Sequence, residues 1–192
     1  MVIIEFIGMP RAGKSTQVKL LKKELEKRGS SVKVIADRTL MKKIKISPTE
    51  VIAYKIVFYS KVLEEFFKHK KRFDYIIIDR GFRDSKIWFE VENILGHIHS
   101  KRALELGKTF EEFSQKVHKT ICMMVNPDEA FQRHLKTEHM EVDDVGTSKK
   151  YLAALRQAYC RNRRQLPHCL WIDQKNNPQK IHQKILKFIL EN

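Results

Sequence analysis

Five short runs rich in β-branched residues, at 2–7, 32–36, 75–79, 120–125 and 169–173, alternate with longer stretches in which apolar positions recur every three to four residues. The short runs predict strands, and the long ones predict helices at 14–28, 48–70, 84–95, 101–118, 127–136, 148–163 and 178–190. Strands separated by helices make βαβ units, so the expected fold is α/β with a parallel sheet. Gly29 is placed to end the first helix, and Pro48, Pro127 and Pro178 each stand where a helix would begin. The stretch 137–150, with Gly146 and four acidic residues, is the least helix-like long segment. It reads equally well as a mobile cover over a site or as an ordinary surface loop.

Directly after the first apolar run comes Gly8-Met9-Pro10-Arg11-Ala12-Gly13-Lys14-Ser15, which matches the phosphate-cradling pattern G-x-x-x-x-G-K-[ST]. The spacing has a physical basis. Successive backbone N–H groups must point at one polyphosphate, the lysine must reach its outer phosphates, and the hydroxyl must touch Mg²⁺. In open parallel sheets ligands bind beyond the carboxyl ends of the strands, and here those ends are charged: Asp37-Arg38, Asp79-Arg80 and Asp173. Tyr75-Ile76-Ile77-Ile78-Asp79 is an apolar strand closing on a carboxylate, suited to holding Mg²⁺ and its waters. Arg80 offers a planar guanidinium to a phosphate, and Arg38 could do the same from the neighbouring strand. Arg11 lies inside the loop, within reach of a γ-phosphoryl group during transfer.

Composition narrows the classes further. At 192 residues with 42% hydrophobic residues, the chain suits one domain over 1–192 with a core built without disulfides. Cys122, Cys160 and Cys169 are odd in number and lack C-x-x-C spacing, so neither a disulfide framework nor a zinc site is expected, and a reducing cytoplasm fits. The short N-terminal apolar run contains Glu5 and is too short for a signal or membrane segment. A net charge of +15 favours phosphate-bearing partners. Basic residues are spread over helix-like segments, and no basic stripe interleaved with aromatics is visible, so nucleic acid is possible but not favoured.

Taken together, Phe6 to Gln17, Asp79-Arg80 and Asn126-Pro127-Asp128-Glu129-Ala130-Phe131-Gln132-Arg133 resemble the thymidylate kinase branch of P-loop nucleoside and nucleotide kinases. The resemblance implies a P-loop NTPase three-layer fold, a five-stranded parallel sheet flanked by helices, using ATP and Mg²⁺. It implies that Gly8, Met9, Pro10, Arg11, Ala12, Gly13, Lys14, Ser15 and Thr16 wrap the phosphates, with Arg133 over the adenine and the tail from Ile172-Asp173 closing that pocket. Lys14, Arg11, Asp79 and Arg80 would be catalytic, Ser15 and Asp79 the metal ligands, and Arg80 the contact to the acceptor phosphate. The implied lid, 134–150, lacks arginine, which matches a transition-state arginine at Arg11.

Departures from the pattern bear on the acceptor. Pro10 stands where the family has an aspartate, Gly81-Phe82 follows Asp79-Arg80 where a tyrosine is usual, and no Glu-Pro-Gly follows the second strand. Asp37, Arg38, Phe58 and Tyr59 are the remaining candidates for holding an acceptor, with Lys61 beside them. The expected function is transfer of the ATP γ-phosphoryl group to a nucleoside monophosphate. The alternatives are a kinase for a hydroxyl acceptor, with Asp37 as general base, and a catalytically weak nucleotide- or nucleic-acid-binding protein. The helix at 48–70 is compatible with a homodimer.

Overall fold

The computed structural model describes residues 1–36, 40, 50–136, 148–173 and 177–191. Asp37, Arg38, Pro48 and most of the acidic stretch, 137–147, lie outside the described residues. In chain order the elements are β1 (Val2–Gly8), α1 (Lys14–Lys27), β2 (Val32–Ala36), α2 (Val51–His69), β3 (Tyr75–Asp79), α3 (Phe82–Ile94), α4 (Ser100–Lys108), α5 (Glu111–Ser114), β4 (Lys119–Met124), α6 (Pro127–Leu135), α7 (Lys149–Asn162), β5 (Cys169–Asp173) and α8 (Pro178–Leu190). A single 3₁₀ turn, Arg163–Gln165, links α7 to β5.

All five strands are parallel, in the order β2-β3-β1-β4-β5. β1 lies at the centre, hydrogen-bonded to β3 on one side and β4 on the other, and six of its seven residues are buried. Two apolar layers cover the sheet. One gathers Leu21 and Leu25 of α1, Leu155 and Tyr159 of α7 and Ile185 of α8 against Ile4, Phe6 and Ile121. The other gathers Phe58, Tyr59, Val62 and Phe66 of α2 with Phe82, Phe89 and Phe110 against Ile3, Ile76 and Ile78. This is the three-layer α/β arrangement that the alternation of short and long periods predicted.

The periodic stretch 101–118 is not one helix: α4 ends at Lys108 and α5 is a single turn. Phe110 turns into the core while α5 buries no side chain, and the backbone N–H of His118 already donates to the Ile3 carbonyl at 2.9 Å. Reaching the place beside β1 in time for β4 ends the helix early. Pro127 and Pro178 do occupy the first turn of α6 and α8, where a missing N–H costs nothing. No helix of the described residues is long and apolar enough to cross a membrane.

Candidate functional site

The phosphate loop leaves the carboxyl end of β1 and turns directly into α1. Gly8 makes that turn at φ +117, where a Cβ would lie 2.1 Å from the Met123 carbonyl oxygen, so only glycine fits. Met9 N–H anchors the loop to the same carbonyl at 2.9 Å. Gly13, at φ +86, caps α1, and Arg11 is left-handed at φ +59. The first N–H groups of α1 lack intrahelical partners and carry the positive end of its dipole, which is the local chemistry of an anion site.

Lys14 is buried, and its Nζ donates to the carbonyls of Gly8 at 3.2 Å and Met9 at 2.7 Å. Burial, with the neighbouring Arg80 charge adding to it, pushes its pKa down to about 7, against the pull of Asp79. Ser15 Oγ donates to Asp79 Oδ2 at 3.0 Å, joining the loop to the end of β3. A hydroxyl and a carboxylate side by side are hard oxygen donors of the kind Mg²⁺ prefers, and Mg²⁺ takes most of its remaining ligands from phosphates and water. Arg11 Nη2 lies 3.2 Å from His134 Nδ1, and Arg133 Nη1 donates to the Arg11 carbonyl at 3.0 Å. The end of α6 is thereby drawn against the loop. Pro10 is half-buried in the bend, Ala12 is buried against the core, and Thr16 lies exposed at the start of α1.

Beyond Asp79 the chain makes a second sharp turn. Arg80 is left-handed at φ +68, with its N–H on the Phe6 carbonyl at 2.9 Å. Non-glycine residues hold this conformation at a cost of about 1 kcal/mol or more, and such residues concentrate at functional sites. Arg11 and Arg80, two of the three arginines that sequence reasoning assigned to phosphate, are held in it, and the third, Arg38, lies outside the described residues. The Arg80 guanidinium reaches Asp84 Oδ2 at 3.3 Å and lies 4.7 Å from the centroid of the Trp88 ring.

Glu5 explains the glycine that follows. From the middle of β1 its carboxylate accepts the backbone N–H groups of Gly81, Arg83 and Asp84, each at 3.1 Å, and so caps α3 from another strand. A Cβ at Gly81 would lie 2.7 Å from Ile78 Cγ2 and 3.2 Å from Glu5 Cδ. Full burial, with Asp84 nearby, raises the pKa of Glu5 to about 7.

Two sequence candidates move. Phe58 and Tyr59, read as acceptor contacts, are 4% and 1% exposed and pack into the second apolar layer, Tyr59 against Phe58, Phe89 and Phe110. Their rings are spent on the core. Lys61 points outward to Glu64 at 2.6 Å. The residue of α2 that shares the Trp88 ring with Arg80 is Lys55, one turn earlier. It is 4% exposed, pairs with Glu92, reaches the Tyr151 hydroxyl at 3.0 Å and lies 4.3 Å from the Trp88 ring centroid. Burial lowers its pKa to about 8. Lys55 shares a helical stripe with Phe58, Tyr59, Val62 and Phe66, and a lysine on an apolar stripe was the sequence signal for it. Asp84 and Tyr159, buried beside Arg80, carried no such signal.

The fold and this phosphate corner define a class, the α/β P-loop proteins with the architecture of nucleotide kinases. Within that class, the chain is similar to deoxyadenosine kinase from M. mycoides with bound dATP, at TM-score 0.74 and 16% identity over 99% of this chain and 100% of that one. It is also similar to the same kinase with products dCMP and dCDP, at TM-score 0.68 and 18% identity over 98% of each chain. Thymidylate kinase from Candida albicans gives TM-score 0.67 and 14% identity over 98% of this chain and 90% of that one. The family described as chromatin associated protein KTI12 matches residues 1–79, less than half of the chain but the part that carries the phosphate loop and Asp79. No curated protein matches the sequence. The resemblance seen in the motifs thus holds for the P-loop kinase fold.

Proposed function

We propose that the protein transfers the γ-phosphoryl group of Mg·ATP to a nucleoside monophosphate. One observation carries this reading. The Ser15–Asp79 contact at 3.0 Å closes a metal corner directly under a loop built for a triphosphate, while Arg80 stands on the next residue as a clamped cation. When bound there, Mg²⁺ would neutralise charge that develops on the phosphates during transfer. Lys14 would hold the β- and γ-phosphates, and Ser15 and Asp79 would hold the ion. Arg11 meets the transferring group, and Arg80 grips the acceptor phosphate. Arg133, already bonded to the loop, borders the adenine. Catalysis of this kind is positioning and charge, with little covalent work for the protein.

A second reading is supported by the likeness to deoxyadenosine kinase, which covers both chains almost completely. In it the acceptor is a nucleoside hydroxyl and Asp37 serves as general base. One experiment separates the two. Nucleosides and nucleoside monophosphates are assayed for acceptor-dependent ADP formation with Mg²⁺, in the wild type and in Asp37→Asn. Turnover with monophosphates that survives Asp37→Asn supports the first reading, and turnover with nucleosides that is lost in Asp37→Asn supports the second. Absence of acceptor-stimulated turnover with either class overturns both.

A further inference from the structure

One buried hydroxyl has no part in these roles. Tyr159, on α7, is fully buried among apolar neighbours where phenylalanine would fill the same volume. Its hydroxyl accepts the N–H of Gly8, the first residue of the phosphate loop, at 2.9 Å and donates to Asp84 Oδ1. The other oxygen of Asp84 accepts from Arg80 Nη1 at 3.3 Å. Asp84 is itself fully buried, which is costly for a carboxylate unless its oxygens are satisfied, and here both are. A continuous chain of hydrogen bonds therefore runs from the loop to the arginine through two side chains from different helices. Trp88 covers the flat face of the same guanidinium. A buried polar network with each member engaged fixes one arrangement of its parts.

We propose that Tyr159 and Asp84 are positioning residues that set the aim of the Arg80 guanidinium relative to the phosphate loop, so that the groups facing donor and acceptor keep one spacing. The proposal rests on the reading of Arg80 as the residue that faces the acceptor. Neither Tyr159 nor Asp84 touches the reacting groups, and their loss should lower kcat while leaving the KM for Mg·ATP nearly unchanged.

The test uses the full chain and has a readout independent of activity. Arginine side-chain ¹⁵N NMR, with the Arg80 signal assigned by its loss in Arg80→Lys, reports rotation of the guanidinium. In the wild type that rotation should be hindered. In Tyr159→Phe and in Asp84→Asn it should quicken at least tenfold, while Arg156, one turn before Tyr159 on α7 and bonded to the Val125 carbonyl instead of to Asp84, keeps its signal as a check on the fold. The phenylalanine variant keeps the packing volume if the asparagine variant fails to fold. With an active acceptor, kcat should fall at least tenfold in Tyr159→Phe with the KM for Mg·ATP within threefold of wild type. Hindered rotation retained in Tyr159→Phe overturns the proposal, as does an unchanged kcat. A wild type without turnover on any acceptor overturns the kinase reading instead, and the NMR result still decides whether the relay exists.

Discussion

Lys14 is held at a tension that a nucleotide would release. Buried against two carbonyl oxygens and beside the Arg80 charge, its ammonium titrates near 7. An unfolded lysine titrates near 10.4, so the unfolded chain binds more protons between these values and the fold gains stability as the pH rises through that window. A triphosphate in the loop favours the charged form and moves the pKa back up. At pH 7.5 a group titrating at about 7 is only partly protonated, so binding of Mg·ATP should take up protons. Calorimetric titrations in buffers of different ionisation enthalpy measure this directly. A binding heat that does not vary with the buffer rules out the predicted shift. Lys14→Ala removes the same group from the transferring phosphates and should lower turnover by about a hundredfold or more, as is usual when a donor aimed at developing charge is deleted. Wild-type turnover in that variant, measured by ADP release, would contradict the assigned role.

At the scale of elements, the junction of β1 and α3 is a helix cap supplied across the sheet. Glu5 serves three N–H groups that α3 cannot satisfy itself, and it does so with a carboxyl titrating near 7 instead of near 4.3. Between those values the folded chain binds more protons than the unfolded one, so this group's contribution is fully present at low pH and is lost as the pH rises through about 7. The size of the effect is on the order of 3 kcal/mol. Urea unfolding of the wild type from pH 5 to pH 8 should show this decline, and Glu5→Gln, which keeps the acceptor oxygen, should flatten it. Parallel slopes in the two proteins would remove Glu5 from the account. Gly81→Ala should weaken the same junction by about 1–3 kcal/mol, because the new methyl meets Ile78 at 2.7 Å with a carboxyl behind it. These elements also show what a sequence displays and what it hides. The strands and most helices follow from apolar periodicity, and the phosphate loop follows from spacing, because both are local in the chain. Glu5 and Gly81 are 76 residues apart, and Tyr159 and Gly8 are 151 apart. Contacts of that separation leave no local period, so the supports of Arg80 became visible only once the sheet order had brought β1, α3 and α7 together.

For the whole molecule, the net charge of +15 decides how phosphates arrive and tests whether the acceptor is small. A field of that sign speeds association of anions and is screened beyond about 10 Å at 0.1 M ionic strength. A nucleotide meets mainly the loop, where Lys14 is buried and screened little. Its apparent KM should therefore rise only severalfold between 0.05 M and 0.3 M salt. A single-stranded oligonucleotide would instead contact many surface lysines and arginines and release a counterion for each phosphate neutralised, so its affinity should fall with a steep log–log slope, about −0.7 for every phosphate contacted. Measuring both titrations on one preparation sets the two partners against each other. Shallow salt dependence for Mg·ATP turnover, with weak oligonucleotide binding, fits a kinase for small acceptors whose charge serves steering. Tight, steeply salt-dependent oligonucleotide binding without acceptor-stimulated ATP use would mean that the basic surface, and not the phosphate corner, carries the function.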